Sequence, residues 1–403
     1  MEEEIEKFDY QINNAKNLFQ DCNINFLIGS GLSCPFFGTL GNIEIWLTKL
    51  DESTKIDGPL KAFIKASLYG SYYRIAMKDN IDLYKATDVP EEVVAVPKSN
   101  QEKLVNTYLS YKDFLRILNQ IIYNRRSNTV NKMVNLFTTN VDIFLEKVIE
   151  DLDLHCNDGF NGIFTKRFSL SNFRKSCYQK SSHYDNITEI PVYNLLKIHG
   201  SVTWRLIDSQ LQFKGISLIK SINLALEGFD LLDIVELNNE MWKTGGRDLT
   251  IDEIIDEAKK IKTLPDISNF ILQYEKLQVV NPTKEKFKDT TFNKSYYEML
   301  RMYANELEKE NSILYIMGFS MADEHIRDIT FRAIKSNPTL KVFICSFSQS
   351  ARDILRNLKQ DNIDLKDYHN VELINPFDGF SLMEFNNNIL IPLLANIKSS
   401  KYD

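Results

Sequence analysis

A Rossmann-like α/β fold, a parallel sheet with helices on both faces, is predicted by three features of this 403-residue sequence. Short apolar runs recur along the chain. Each stops at glycine or at small polar residues. Helical periodicity follows or separates most of them, and short buried strands alternating with amphipathic helices build a parallel sheet covered on both sides.

The elements follow in order. Ile5, Phe8, Ile12, Ala15 and Phe19 recur at helical spacing, and Ile24-Asn25-Phe26-Leu27-Ile28 is a buried strand that stops at Gly29. The same pattern returns from Val134 to Thr138, ending at Thr139-Asn140, and from Val192 to Ile198, ending at His199-Gly200. Leu277 to Val280 ends at Asn281-Pro282, Ile313 to Met317 at Gly318, Val342 to Cys345 at Ser346, and Val371 to Ile374 at Asn375-Pro376. Helical patterns run from Asp142 to Leu152, Tyr296 to Leu307, Asp323 to Ile334, Ala351 to Leu358 and Leu382 to Ile397. Two stretches, approximately 42–130 and 205–275, break the alternation. Their patterns (Phe63 to Tyr84, Tyr108 to Tyr123, Leu218 to Leu226, Ile251 to Ile261) are helical, so both are read as insertions. The expectation is one domain over 1–403 whose insertions form a smaller helical layer above the ligand edge.

Composition narrows the function. Acids outnumber bases, 55 to 48, for a net charge of −7. That balance argues against direct nucleic-acid binding by this chain and against anionic membranes. The acidic start and the lack of any apolar run near the roughly 18 residues of a membrane span point to a cytoplasmic protein. Cys22, Cys34, Cys156, Cys177 and Cys345 are scattered without a C-x-x-C pair, which fits reduced thiols and no zinc ribbon. Glycine is scarce: 15 are present, where an average share gives about 28. Gly29, Gly31, Gly38 and Gly41 nevertheless crowd together.

In open α/β sheets, ligands bind beyond the carboxyl ends of the strands. Gly29-Ser30-Gly31-Leu32-Ser33 lets the backbone approach a ligand, and its N–H groups with the Ser33 hydroxyl suit phosphate oxygens. No lysine follows, which excludes a P-loop. A plain turn is the alternative. Asn140 and Asp142 are either helix caps or ligand groups, His199 is either structural or a proton acceptor, and Asp323 in Gly318-Phe319-Ser320-Met321-Ala322-Asp323-Glu324-His325 suits a cap.

Taken together and in this order, the G-x-G-x-S loop, the T-x-N-x-D turn, the strand ending in His-Gly and the late G-x-S turn resemble the sirtuin family. Asn281-Pro282-Thr283-Lys284-Glu285-Lys286-Phe287 and Gly318 to Ile326 look like the sirtuin-like subunit of bacterial antiphage systems, which pairs with a HerA-type hexameric ATPase. The resemblance implies NAD as substrate. Gly29, Ser30, Gly31 and Ser33 would hold the diphosphate, with Gly318 and Ser320 near the adenosine ribose or phosphates. Thr139, where the deacylases carry glutamine, precedes Asn140. Asn140 and Asp142 would face the nicotinamide ribose, with His199 as base. The resemblance also implies a homo-oligomer, and the hexameric partner suggests a multiple of six. The family's deacylases carry a four-cysteine zinc module after the histidine, but only Cys345 lies beyond His199, so no zinc is expected.

Breaking the nicotinamide–ribose bond leaves an oxocarbenium-like cation and a neutral leaving group. The site must orient the ribose, offset positive charge and place a water. Asn140 can hydrogen-bond a ribose hydroxyl or that water, Asp142 can offer a carboxylate or orient the carboxamide, and a histidine can accept a proton from water or a ribose hydroxyl near neutral pH. The expected activity is NAD glycohydrolysis to nicotinamide and ADP-ribose, depleting NAD in antiphage defence. The alternatives are an NAD-dependent deacylase or ADP-ribosyltransferase, or a non-catalytic subunit sensing NAD or ADP-ribose.

Overall fold

The computed structural model describes residues 15–34, 36–39, 43–54, 56–86, 92–94, 97–126, 130–232, 243–244, 247–248, 250–280, 290–346, 350–374 and 381–399. The start of the first helix (Ile5, Phe8, Ile12), Gly41, the 281–287 segment and Asn375-Pro376 lie outside the described residues.

Seven parallel strands form the central sheet: β1 (Asn23–Ile28), β2 (Met133–Thr138), β3 (Cys156–Asn157), β4 (Val192–Lys197), β5 (Ser312–Met317), β6 (Lys341–Cys345) and β7 (Val371–Ile374). Their order is β7-β6-β5-β1-β2-β4-β3, so the chain reverses its direction of growth between β1 and β5. Each face of the sheet buries its own core. Ile24, Phe26, Ile28, Tyr315 and Met317 join one apolar cluster, while the intervening Leu27, Leu314 and Ile316 join another. This period of two explains why the strands read as continuous apolar runs: both sets of side chains are buried.

One polar row crosses this apolar sheet. Asn25 pairs in register with Asn135, Asn135 with Asn194, and Asn194 with Asn157. The side chains form a chain of amide hydrogen bonds. Asn135 Nδ2 donates to Asn25 Oδ1 (2.8 Å), Asn194 Nδ2 to Asn135 Oδ1 (2.8 Å) and Asn157 Nδ2 to Asn194 Oδ1 (2.9 Å). Shifting any of the four strands by one residue would put asparagine against apolar neighbours and leave buried amides unmatched.

The two insertions form one helical layer. Helix α1 (Gly58–Ala76) begins at an Asp57 cap, and α2 (Asn100–Tyr123) at a Ser99–Glu102 capping box. After β2 comes α3 (Phe144–Asp151), and the second insertion contributes α4 (Ser217–Leu226) and α5 (Ser268–Tyr274). Tyr69 of α1 stacks on Tyr274 of α5 at 4.8 Å, and the Tyr73 hydroxyl donates to the Ile219 carbonyl of α4 at 2.6 Å.

Two expectations are corrected. Leu277 to Val280 does not supply a strand of the parallel sheet: Gln278–Val279 pairs antiparallel with Gly200–Ser201. Gly200, at φ 80°, turns the chain beyond β4 and presents an edge to it. A short apolar run carries no information about which edge it joins. The 205–275 stretch is also not wholly helical, because it opens in a hairpin of Trp204–Ile207 with Gln210–Phe213. Asp208 and Ser209 make its turn with φ of 51° and 57°, a conformation usually flagged by Asn-Gly, so the sequence signal was weak. The hairpin joins Arg167–Phe168 and Phe160–Asn161 in a four-stranded sheet.

Asn135→Ala is expected to remove two rungs of the polar row at once. Each stranded buried partner costs about 1–3 kcal/mol, so the urea midpoint should fall clearly while the circular dichroism spectrum keeps its α/β shape.

Candidate functional site

The register brings the strand ends to one level. Ile28 pairs with Met317 and Thr138, Thr138 with Lys197, and Met317 with Cys345. Gly29, Thr139, Ile198, Gly318 and Ser346 therefore leave the sheet side by side, at the edge where open α/β sheets bind ligands.

At the reversal between β1 and β5, two glycine loops touch. The Gly31 N–H donates to the Gly318 carbonyl (2.9 Å) and the Gly29 N–H to the Met317 carbonyl (2.9 Å). A Cβ on Gly29 would collide with the Gly318 carbonyl, and one on Gly31 would stand 2.9 Å from Gly318 Cα. Gly318 itself has φ 63°, where a Cβ would lie 2.5 Å from Leu32 N. These glycines thus permit backbone to meet backbone. The N–H groups of Gly29, Gly31, Leu32 and Ser33 are all bonded within the two loops. The expectation that they stand open toward phosphate is corrected accordingly. Ser30 and Gly31 nevertheless form the exposed crest of the loop.

Below that crest lies a buried polar cluster. Ser33 Oγ is 3.0 Å from the Tyr111 hydroxyl of α2 and accepts from Asn140 Nδ2 at 3.2 Å. Ser33 also helps to hold the Asp142 carboxyl down. Ser33 is therefore a node that joins the glycine loop, α2 and the turn after β2. Asn140 and Asp142 are 5% and 7% exposed. Thr138 Oγ1 accepts from the Asn140 N–H, which closes the turn. Asn140 Oδ1 has no hydrogen-bond partner among the described residues. Asp142 Oδ1 accepts from the Phe144 N–H at 3.1 Å, so the capping reading holds for it as well.

A buried cation stands behind this turn. Lys197 Nζ donates to the Asp142 carbonyl and meets Glu146 Oε1 at 2.7 Å. Burial pushes the Asp142 carboxyl above its ordinary range, and Lys197 pulls it back. Glu146 is raised for the same reason and opposed by the same lysine. Tyr111 is held well above the usual phenol range, chiefly by burial and next by Asp142, so its hydroxyl is neutral and able to donate to Ser33.

His199 follows β4 on the neighbouring strand end. Its Nε2 is 3.3 Å from Asp323 Oδ2, off the line of a hydrogen bond. Asp323 also caps the helix α6 (Glu324–Ser336) through the Ile326 N–H. Thr139 donates its N–H to the Ile28 carbonyl, and Ser320 is exposed with its carbonyl held by Asn357. Met321 takes φ 59°, and Arg327 fixes it by donating to the Met321 carbonyl at 2.7 Å.

The structure thus joins Ser33, Asn140 and Asp142 directly. Gly29, Gly31 and Gly318 meet at the neighbouring loop contact, and His199 pairs with Asp323. Sequence reasoning missed Tyr111, Lys197, Glu146 and Ser346. Ser346 is buried at the β6 end, its hydroxyl without a partner among the described residues. A lysine inside the otherwise apolar Leu195-Leu196-Lys197-Ile198 run was a usable signal. Tyr111 offered none, lying 78 residues from Ser33 on a helix of similar tyrosines.

No family model and no curated protein sequence matches the chain. Among the described residues, no cluster of three or more His, Cys, Asp or Glu could hold a metal ion, and no helix is long and apolar enough to cross a membrane.

Gly29→Ala should lower the thermal midpoint sharply, because the Gly318 backbone cannot yield. Gly58→Ala, at the open first residue of α1, should be neutral or stabilise by up to about 1 kcal/mol. Differential scanning calorimetry of the two variants checks the contrast.

Proposed function

We propose that the chain hydrolyses the bond between nicotinamide and ribose in NAD, releasing nicotinamide and ADP-ribose. The observation that carries this reading is Asn140 Oδ1. It is buried, its amide nitrogen is held by Ser33, and it has no partner among the described residues at the ligand edge. An unsatisfied buried acceptor costs about 1–3 kcal/mol, and a ribose hydroxyl or an attacking water would satisfy it.

The neighbouring groups suit the rest of the step. The water oxygen bonds to the ribose carbon as the carbon–nitrogen bond breaks. The bonding pair goes to the nicotinamide ring, which leaves neutral. The water's proton passes to His199, whose Nε2 lies 3.3 Å from Asp323 Oδ2. An ionised Asp142 offsets positive charge on the ribose. Ser30 and Gly31 at the exposed crest, with Thr139, Gly318 and Ser320 around it, would border the rest of the dinucleotide.

The motif resemblance supports the wider setting. On that resemblance we propose that the chain acts in bacterial antiphage defence as a cytoplasmic homo-oligomer, beside a HerA-type ATPase that handles nucleic acid.

Nicotinamide release should be measured with and without that ATPase. Asn140→Ala should abolish it at an unchanged thermal midpoint, and His199→Ala should lower it by roughly 10²–10⁴-fold, the usual contribution of a positioned base. Activity should fall as the pH drops through the titration of Asp142, because a protonated carboxyl no longer offsets the cation. No release under either condition would overturn the hydrolase reading. ADP-ribose appearing on a protein would favour transfer, loss of an acyl group from one would favour deacylation, and tight calorimetric binding without product would favour sensing.

A further inference from the structure

The buried lysine beside the turn after β2 is accounted for neither by the sheet nor by the proposed chemistry. Lys197 is 3% exposed and stands on β4, two residues before His199. Strand interiors rarely carry a lysine unless its charge is paired. This one reaches across to the neighbouring strand's turn. Its Nζ donates to the Asp142 carbonyl and pairs with Glu146 of α3. The Ile198 N–H donates to the Thr138 carbonyl at 2.8 Å, and the Val202 N–H to the Val141 carbonyl at 3.1 Å. The strand that carries His199 is therefore stitched to the Asn140–Asp142 turn on both sides of the histidine, and Lys197 provides the only charged stitch among the described contacts.

We propose that Lys197 is a positioning residue. It clamps the Asp142 backbone and the Glu146 carboxylate to the His199 strand, and so keeps Asp142 beside Asn140 as a carboxylate.

The charges around Asp142 make the second half of this statement necessary. From α3 it faces Glu146, from β4 Lys197, from α2 Tyr111, from α1 Tyr72, and from the glycine loop Ser33. Lys197 is the only cation among these groups. Both tyrosines are neutral, and Tyr72 is pushed up to about 12, first by burial and then by Asp142. Asp142 in turn works against ionisation of Glu146, whose Oε2 is buried with no hydrogen-bond partner among the described residues. Asp158 lines the same small cavity as Glu146 and Lys197, which adds a further acid on that side. Without the lysine, two desolvated carboxyls would share the turn with no counter-charge, and protonation would be their cheapest relief.

The role of Lys197 in turnover rests on the hydrolase reading, but its effect on Asp142 does not. The decisive comparison uses Lys197→Met, Lys197→Gln and Lys197→Arg in the full chain. Without substrate, the carboxyl ¹³C resonance of Asp142 is followed through a pH titration. Its midpoint should move up in Lys197→Met and Lys197→Gln and stay near the native value in Lys197→Arg. In nicotinamide release, the acid limb of the kcat profile should move in the same directions. Lys197→Met should lose at least tenfold in kcat at neutral pH and regain part of it at higher pH. A loss that is uniform with pH indicates misfolding alone and overturns the proposal, as does an unmoved Asp142 midpoint. If Lys197→Met does not fold, Lys197→Gln decides, since it keeps a donor at this position but removes the charge, and an Asp142 midpoint that stays at the native value there overturns the proposal. A native chain that releases no nicotinamide, while the Asp142 midpoint still follows the lysine, refutes the hydrolase reading and leaves the clamp standing.

Discussion

The row of asparagines through β1, β2, β4 and β3 sets everything above it. Apolar strands packed on both faces have little to distinguish one register from the next, since a Val, Ile or Leu at any level buries comparable area. Asn25, Asn135, Asn194 and Asn157 remove that freedom, because each amide has its donor or acceptor only when its neighbour stands directly opposite. With the middle of the sheet in register, the ends line up. Thr138 lies beside Ile28 and Lys197, so the turns that follow bring Ser33, Asn140, Asp142 and His199 to one edge. A buried hydrogen-bonded network of this kind adds modest net stability but excludes alternatives.

Above that row, the site is built from contacts between backbones rather than from long side chains. The loops after β1 and β5 press together at Gly29, Gly31 and Gly318, and much of their own hydrogen-bonding capacity is consumed in doing so. Residues that suggested a phosphate cradle therefore have a first duty in joining the two halves of the sheet. Among the described residues, Asn140 Oδ1, Glu146 Oε2, His199 Nε2 and Ser346 Oγ are buried without a hydrogen-bond partner near this edge.

The fold was legible because both its signals are local. Apolar runs ending in Gly29, Thr139, His199 and Gly318 mark strand ends, and the helices between them show in periodicity. The order of the strands and the antiparallel pairing of Gln278–Val279 were not legible, since pairing partners depend on geometry far from the run itself. The hairpin at Asp208-Ser209 escaped because the turn uses residues that seldom advertise positive φ. At the site, Ser33, Asn140, Asp142 and His199 stood out by position within motifs. Tyr111 and Glu146 entered through tertiary contact alone. Lys197 was visible as an anomaly in an apolar strand, but its partner Glu146 lies 51 residues earlier.

The long reach of β5 has a consequence for synthesis. Asn25 of β1 hydrogen-bonds the Ile313 carbonyl of β5, 288 residues later. While the chain emerges from the ribosome, β1 can find β2 early, yet its other edge stays open until most of the protein has been made. An unpaired buried strand invites wrong partners, and contacts of such sequence separation form slowly. The two glycine loops can close only after this pairing. A nascent or truncated chain would thus carry Asn140, Asp142 and His199 without the joined loops beside them, and whatever chemistry the edge performs would be withheld until β5 has been made.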